Sequence, residues 1–223
     1  MPVYDYSYRV WEGRRRGALF RWLAIPRYAY MELFRMRLVS SILTLAVVMF
    51  AARLMFIYVR VNQDLLSLIG IPPQALPRID ARFFQEAIDW QFPLCFVLTI
   101  AMGANLISRD LKHNMVVLYA SKPISRWEYF AGKFSVLFFV FVGMLCGLPL
   151  ILLLMQALVA PEGTSWHDDF WTDYAWLAGA ILIYGIPAAA TLSILILAAS
   201  SLSENGRYAG LAFAIFIIGM NIV

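Results

Sequence analysis

Charged residues are scarce in this chain: they make up 14% of its 223 residues, against about 25% in an average soluble domain. Hydrophobic residues make up 62%, and the mean hydropathy is +0.72. Several apolar runs approach or exceed the roughly 20 residues that a helix needs to cross the hydrocarbon core of a bilayer. The sequence therefore excludes an ordinary soluble domain and predicts an all-α integral membrane protein.

Cysteine and histidine are also scarce, with two residues of each. Cys95 and Cys146 lie in apolar runs without a C-x-x-C spacing, which favours core packing over a metal site or a disulfide. His113 and His167 fall on opposite sides of the topology predicted below, so they cannot share a metal ion. We therefore expect no catalytic residue, no metal and no cofactor in this chain, and an enzymatic role is disfavoured.

Five apolar runs predict five membrane spans, at residues 39–59, 91–107, 134–158, 174–200 and 208–223. The fifth run stops at Val223, short of a full crossing, so we expect the complete protein to continue it and to add a sixth span. Basic residues concentrate before the first span and in the segment 108–133, which places both segments and the N-terminus in the cytoplasm. Most of the basic residues behind the net charge of +4 lie in these cytoplasmic segments and are explained by membrane orientation. Nucleic-acid binding is therefore not indicated.

Residues 1–38 form a basic and aromatic region that precedes the transmembrane domain at 39–223. Pro26 suits the first turn of a helix that we expect to run through Leu38. In projection this helix has an apolar half, whereas Arg27, Glu32 and Arg35 share the other half. The pattern predicts an interfacial amphipathic helix on the cytoplasmic leaflet, with its arginines toward anionic lipid or a partner protein.

Four side chains in the predicted spans or at their ends are unusual in an apolar setting: Arg53, Asn105, Gln156 and Tyr184. Arg53 either snorkels to the outer interface or pairs with a polar group, or it lines a substrate path. Asn105, Gln156 and Tyr184 are candidates for hydrogen bonds between helices or for the same path. Both alternatives stay open from the sequence.

Glycine and proline mark further features of the spans. Gly143 and Gly147, four residues apart, indicate weakly that another helix packs closely there. Gly185 and Pro187 predict a kink in the fourth span. Trp90 marks the water boundary of the second span, with Pro93 tolerated in its first turn, and a short separate helix is expected before it, at 79–88.

The segment 108–133 is the polar stretch between the second and third spans. Ser108 is expected to cap a short surface helix whose apolar positions are Leu111, Met115 and Leu118, with Arg109, Asp110 and His113 on its polar faces. Pro123 ends that helix, because it has no N–H and restricts the residue before it. Ser125 to Glu128 reads as a capping box that starts the next helix, with Arg126 in its first turn. Gly132 and Lys133 match the end of a phosphate-binding loop, but the first glycine of that motif is missing. The chain is therefore not expected to hydrolyse ATP itself.

Three stretches carry a resemblance to a known family: G-A-N-L-I-S-R-D from Gly103, L-Y-A-S-K-P-I-S-R from Leu118, and Y-F-A-G-K-F from Tyr129. Together they resemble the cytoplasmic loop of type 2 ATP-binding-cassette transporter permeases. The late loop S-S-L-S-E-N-G-R-Y-A-G from Ser200 is similar to an inner loop of the same family. The chain departs from the family pattern by lacking a complete fifth span and a sixth.

This resemblance implies a permease subunit, which we expect to belong to an exporter. The expected location is the plasma membrane, specifically a bacterial inner membrane. It implies a second permease subunit as a homo- or heterodimer partner, and separate ATPase subunits that bind ATP and magnesium. The loop 108–133 would couple to the ATPase as a coupling helix, with Arg109, Asp110, Leu111, His113, Met115, Leu118, Pro123, Ser125 and Arg126 as candidate contacts. The alternative is a membrane-embedded assembly or interaction subunit that docks a cytosolic partner without transport.

Overall fold

The computed structural model describes residues 24–62, 70, 76–77, 79–115, 125–160 and 174–222, with side chains described from Ile25 to Gly219 within these ranges. These residues contain helices and no strand. The helices are α1 (Ala24–Leu33), α2 (Arg37–Val61), α3 (Ala81–Lys112), α4 (Arg126–Val142), α5 (Leu148–Val159), α6 (Ala175–Ser201) and α7 (Gly206–Ile222). A π-helical turn, Gly143–Gly147, joins α4 to α5 into one rod.

Four of these units are long and apolar enough to cross a membrane: α2, α3, the rod from α4 through α5, and α6. The apolar helix α7 is shorter. Many large apolar side chains point away from the protein core, and on α2 they include Leu45, Val47, Val48 and Met55. A surface of this kind is costly in water and matches a hydrocarbon solvent. The all-helical class predicted from composition is therefore confirmed for the described residues, and four of the helical units are suited to crossing a membrane.

The centre of the bundle is a parallel pair, α3 and α6. Gly103 of α3 faces Ile196 of α6, and nearer the ends of the two helices Ser108 meets Ser200. The α4–α5 rod runs antiparallel to α3, because Lys133 contacts Leu106 while the later Met144 contacts the earlier Cys95. Chain reversals of this kind place the end of α3, the start of α4, the end of α6 and the start of α7 at one end of the bundle.

Helix α3 spans 32 residues, where the sequence predicted three separate pieces. Asp80 caps its start, with Oδ1 accepting from the amides of Arg82 at 3.1 Å and Phe83 at 3.3 Å. The prediction of a separate helix at 79–88 is wrong, as is the placement of Pro93 in a first turn, since Pro93 lies inside α3. Hydropathy detects only the apolar middle of a helix, whereas the hydrogen-bonded backbone continues into polar flanks at both ends.

The N-terminal helix also differs from the prediction. α1 ends at Leu33, and α2 begins at Arg37, so the expected helix through Leu38 is interrupted. Leu33 is buried against the core, whereas Phe34 and Leu38 are more than half exposed. The apolar half predicted for one continuous helix is thus divided between α1, which packs on α4, and the start of α2.

Glycine mediates close helix packing, although not at the predicted pair. No side chain approaches the position of a Cβ on Gly143, which lies in the π-helical turn with Gly147. A Cβ on Gly103 would instead lie 2.6 Å from Ile196 Cγ1, and one on Gly210 would lie 3.0 Å from Ile100. These two close approaches join α3 to α6 and to α7, and Gly185 of α6 packs in the same way against Cys146 of the π-helical turn.

Candidate functional site

The polar end of the bundle is defined here as residues 105–115 of α3 and its C-cap, residues 125–135 at the start of α4, Ser200 at the end of α6, and Gly206 at the start of α7. Helix α1 lies alongside it. The predicted coupling loop leaves the bundle at this end after Met115 and returns to it at Ser125.

A buried ion pair joins the two sides. Lys133 Nζ lies 2.8 Å from Asp110 Oδ2, and both residues are buried, with 8% and 6% of their surface exposed. The Tyr129 hydroxyl donates to the same carboxylate oxygen at 2.8 Å, and Lys133 also donates to the Leu106 carbonyl at 2.8 Å. The carboxylate and the ammonium thus each have further polar contacts, as a buried pair requires. We call Asp110, Tyr129 and Lys133 the buried clamp.

A hydroxyl of α6 bonds to the backbone of α3 just before the clamp. Ser200 Oγ donates to the Ala104 carbonyl at 2.9 Å and accepts from the Ser108 amide at 3.0 Å. In a regular α-helix this amide and this carbonyl would pair with each other. The Ser108 hydroxyl returns a bond to the Ser200 carbonyl at 2.9 Å. The last turns of α3 are therefore attached to α6 by backbone and side-chain hydrogen bonds.

Helix α1 is fastened to the same end. The Tyr30 hydroxyl donates to the Ser135 carbonyl at 3.1 Å, and burial raises the pKa of this tyrosine. A Cβ on Gly132 would lie 2.9 Å from Ile25, so α1 and α4 are in close contact there. Glu32 forms an ion pair with Arg109, in which both side chains are more than half exposed. An exposed pair of this kind contributes little stability, about 0–1 kcal/mol.

The predicted coupling residues divide into anchored and exposed groups. Asp110 was expected on a polar surface, and this is wrong, because Lys133 draws its carboxylate into the bundle. Ser108 does not begin a helix, since α3 continues through it to Lys112 and the chain turns at Asn114, whose φ is +52°. Leu111 is half-buried, and the exposed predicted residues are Arg109, His113, Met115, Ser125 and Arg126. The neighbouring Lys112 is exposed as well.

The start of α4 follows its sequence pattern. Ser125 Oγ accepts from the Glu128 amide at 3.1 Å, and Glu128 accepts from the Ser125 amide at 2.6 Å, which confirms the capping box. Leu118 and Pro123 lie outside the described residues, as does the part of the predicted surface helix after Met115.

The four polar residues predicted in or beside the spans are not brought together. Arg53 donates to the Phe83 carbonyl at 2.9 Å and lies 5.0 Å from the centre of the Phe83 ring, so it has a structural partner. Asn105 is exposed at the polar end and lies against Gly206. Gln156 is buried, and its Oε1 has no hydrogen-bond partner among the described residues. Tyr184 is half exposed and lines a cleft toward the opposite end.

Sequence reasoning missed Lys133, Tyr129 and Ser200 as parts of the site. Lys133 carried a usable signal, since an ionisable residue at the edge of an apolar run requires a partner. Ser200 carried none, because serine is common in membrane helices and its partner lies 92 residues away.

The ion pair and the hydrogen bonds of the polar end hold the last turns of α3 against α4 and α6. Its buried charged residues therefore have a structural role. Asp110 and Lys133 neutralise each other, and His113 is exposed at the C-cap of α3. Within the described parts of the chain, no group of three or more His, Cys, Asp and Glu side chains could hold a metal ion. Comparisons with protein-family models, curated proteins and solved structures give no match.

Proposed function

We propose that this chain is the membrane-spanning permease subunit of a type 2 ATP-binding-cassette exporter. In this proposal the polar end faces the cytoplasm, a separate ATPase that binds ATP and magnesium docks there, and a second permease subunit completes the transporter. The observation that carries the proposal is the buried clamp, which lies within the segment 103–133 whose residues resemble the cytoplasmic loop of that family.

The clamp supports this role because force on a loop moves a bundle only if the base of the loop is rigid. Removing one partner of a buried ion pair costs about 3–5 kcal/mol, far more than breaking an exposed pair. A push on the segment between Met115 and Ser125 would therefore move α3 and α4 together. Ser200 extends the same connection to α6.

The surface around the clamp supports docking of a protein. Trp127 is 82% exposed, and Lys112, His113 and Arg126 are exposed at the same end of the bundle. Tryptophan and arginine are enriched at the centres of protein interfaces. We therefore assign contact with the ATPase to the exposed residues, and anchoring to Asp110.

Co-purification tests the docking contact. The tagged chain is isolated from membranes of its own host, and partners are identified by mass spectrometry and by ATP hydrolysis in proteoliposomes. We expect an ATPase to be retained by the wild-type chain and lost from a His113→Glu/Arg126→Glu variant. Arg82→Glu, an exposed charge near the start of α3, is the matched control and should retain the partner.

Two results would contradict the proposal. One is retention of the ATPase by the double variant at the same level as by the Arg82→Glu control. The other is a stable partner that neither binds nor hydrolyses ATP, which would favour an assembly or interaction subunit.

Orientation is tested by labelling single cysteines. In a Cys95→Ala/Cys146→Ala background, we introduce Lys112→Cys at the polar end or Pro77→Cys near the opposite end. A membrane-impermeant maleimide applied to intact cells should label the cysteine at 77, and should label the one at 112 only after the membrane is opened. Labelling at 112 in intact cells would place the polar end outside and refute the proposed topology.

A further inference from the structure

A cleft of about 270 Å³ lies between the first turns of α3 and α6, toward the end of the bundle opposite the polar end. Its walls are mainly apolar and aromatic, with Phe84 and Ile88 on α3 and Trp176 and Tyr184 on α6. Its volume is close to the lower end of the range for small-molecule sites. A gap thus separates α3 and α6 here, whereas the two helices pack closely further along, where Gly103 faces Ile196.

The charge of the cleft is of one sign. Among the described residues that line the cleft, Asp89 is the only Asp, Glu, Lys or Arg, and it is exposed. The nearest basic residue of the same helix face, Arg82, lies two turns away and does not line the cleft. Glu86 follows the lining residue Gln85 in sequence but does not line the cleft itself. Its Oε2 lies 4.0 Å from Arg53 Nη2.

The aromatic residues of the cleft also favour a cation. Trp176 and Tyr184 are each more than half exposed, and the faces of such rings attract ammonium groups. Asp89 and two aromatic residues, Trp176 and Tyr184, therefore line one opening.

We propose that this cleft binds a monovalent organic cation with an aromatic or short alkyl body, such as an amine or a quaternary ammonium compound. Binding follows from the cleft alone. That the cation is a transported solute rests on the proposed exporter function.

The test uses the chain purified in a non-ionic maltoside detergent, which supplies no ammonium headgroup. Benzyltrimethylammonium is the probe, neopentylbenzene is its uncharged isostere, and phenylacetate is the anionic control; dissociation constants are obtained by ligand-observed NMR titration. We expect saturable binding of the cation, and binding at least tenfold weaker for the isostere and for the anion.

Variants locate the site. Asp89→Asn should weaken binding about fivefold, in line with the loss of one partly exposed charge, and Trp176→Leu should weaken it about tenfold. Glu86→Gln removes a neighbouring charge that does not line the cleft and should leave the dissociation constant unchanged. Thermal unfolding of each variant shows whether the fold is intact.

Equal affinity for the cation and its isostere would overturn the proposal, and so would equal effects of Asp89→Asn and Glu86→Gln. Displacement of the probe by short-chain phosphatidylcholine, but not by phosphatidylglycerol, would assign the cleft to a lipid headgroup and also overturn it. Stimulation of ATP hydrolysis by the probe in the assembled complex tests transport separately. Binding without stimulation would leave the site in place and count against its role as a substrate site.

Discussion

Replacing Lys133 by Met tests the buried clamp directly. Methionine keeps much of the length and apolar volume of lysine but removes the ammonium group, which lies 2.8 Å from both Asp110 Oδ2 and the Leu106 carbonyl. The Asp110 carboxylate would remain buried with the Tyr129 hydroxyl as its remaining contact in the clamp. The single substitution therefore isolates a buried negative charge.

The expected cost is large because both partners are buried. Breaking a buried pair on one side costs about 3–5 kcal/mol, and a chain of this size loses roughly 2–4 °C in Tm for each kcal/mol. Lys133→Met should therefore lower Tm by roughly 6 °C or more. The double variant Asp110→Asn/Lys133→Met removes both charges, and we expect it to recover most of the loss.

Thermal unfolding followed by tryptophan fluorescence in detergent measures these differences. Arg109→Met is the matched control, since Arg109 also pairs with an acid at the polar end but is more than half exposed. Its effect should be within about 1 kcal/mol. Tyr129→Phe removes one bond to a charged group and should fall between the two, at about 1.5–3 kcal/mol.

Two outcomes would refute the reasoning. If Lys133→Met is no more destabilising than Arg109→Met, the pair does not stabilise the base of the loop. If the double variant loses as much stability as Asp110→Asn and Lys133→Met lose separately, added together, Asp110 and Lys133 do not interact, and the clamp is absent in the protein.

Two further predictions concern the attachment of α3 to α6. Ser200→Ala should cost about 1–2 kcal/mol by removing the hydroxyl that bonds to Ala104 and Ser108; Ser201→Ala, whose exposed hydroxyl bonds within its own helix, is the control, and equal Tm values would contradict the prediction. Gly103→Ala should cost about 1–3 kcal/mol, because its Cβ would lie 2.6 Å from the branched Ile196 side chain. Gly179→Ala has open space and should be neutral or slightly stabilising, so a similar loss at both glycines would count against close packing at Gly103.

Local signals in the sequence predicted local structure well. The capping box at Ser125 involves groups three residues apart, so its hydrogen bonds depend on the local start of the helix and not on distant contacts. Apolar runs predicted the membrane-embedded helices because burial in hydrocarbon depends on composition over a whole segment. Helix ends were predicted less well, since Ser108 resembles a cap but lies within a continuous α3.

Long-range contacts decided what the polar residues do. The sequence placed Arg109 and Asp110 side by side on a polar helix, yet one is exposed and the other is buried. That difference follows from Lys133, which lies 23 positions after Asp110 and reaches it only when α4 folds back along α3.

The sequence by itself thus determined that the chain is helical and suited to a membrane, and where the helix after the polar segment begins. Only the tertiary structure decided that Asp110 anchors the bundle, that Ser200 bonds to the backbone of α3, and that Gly103 rather than Gly143 allows close packing. The physical reason is the range of the forces involved. Hydropathy and capping act over one segment, whereas ion pairing and close packing depend on which segments become neighbours.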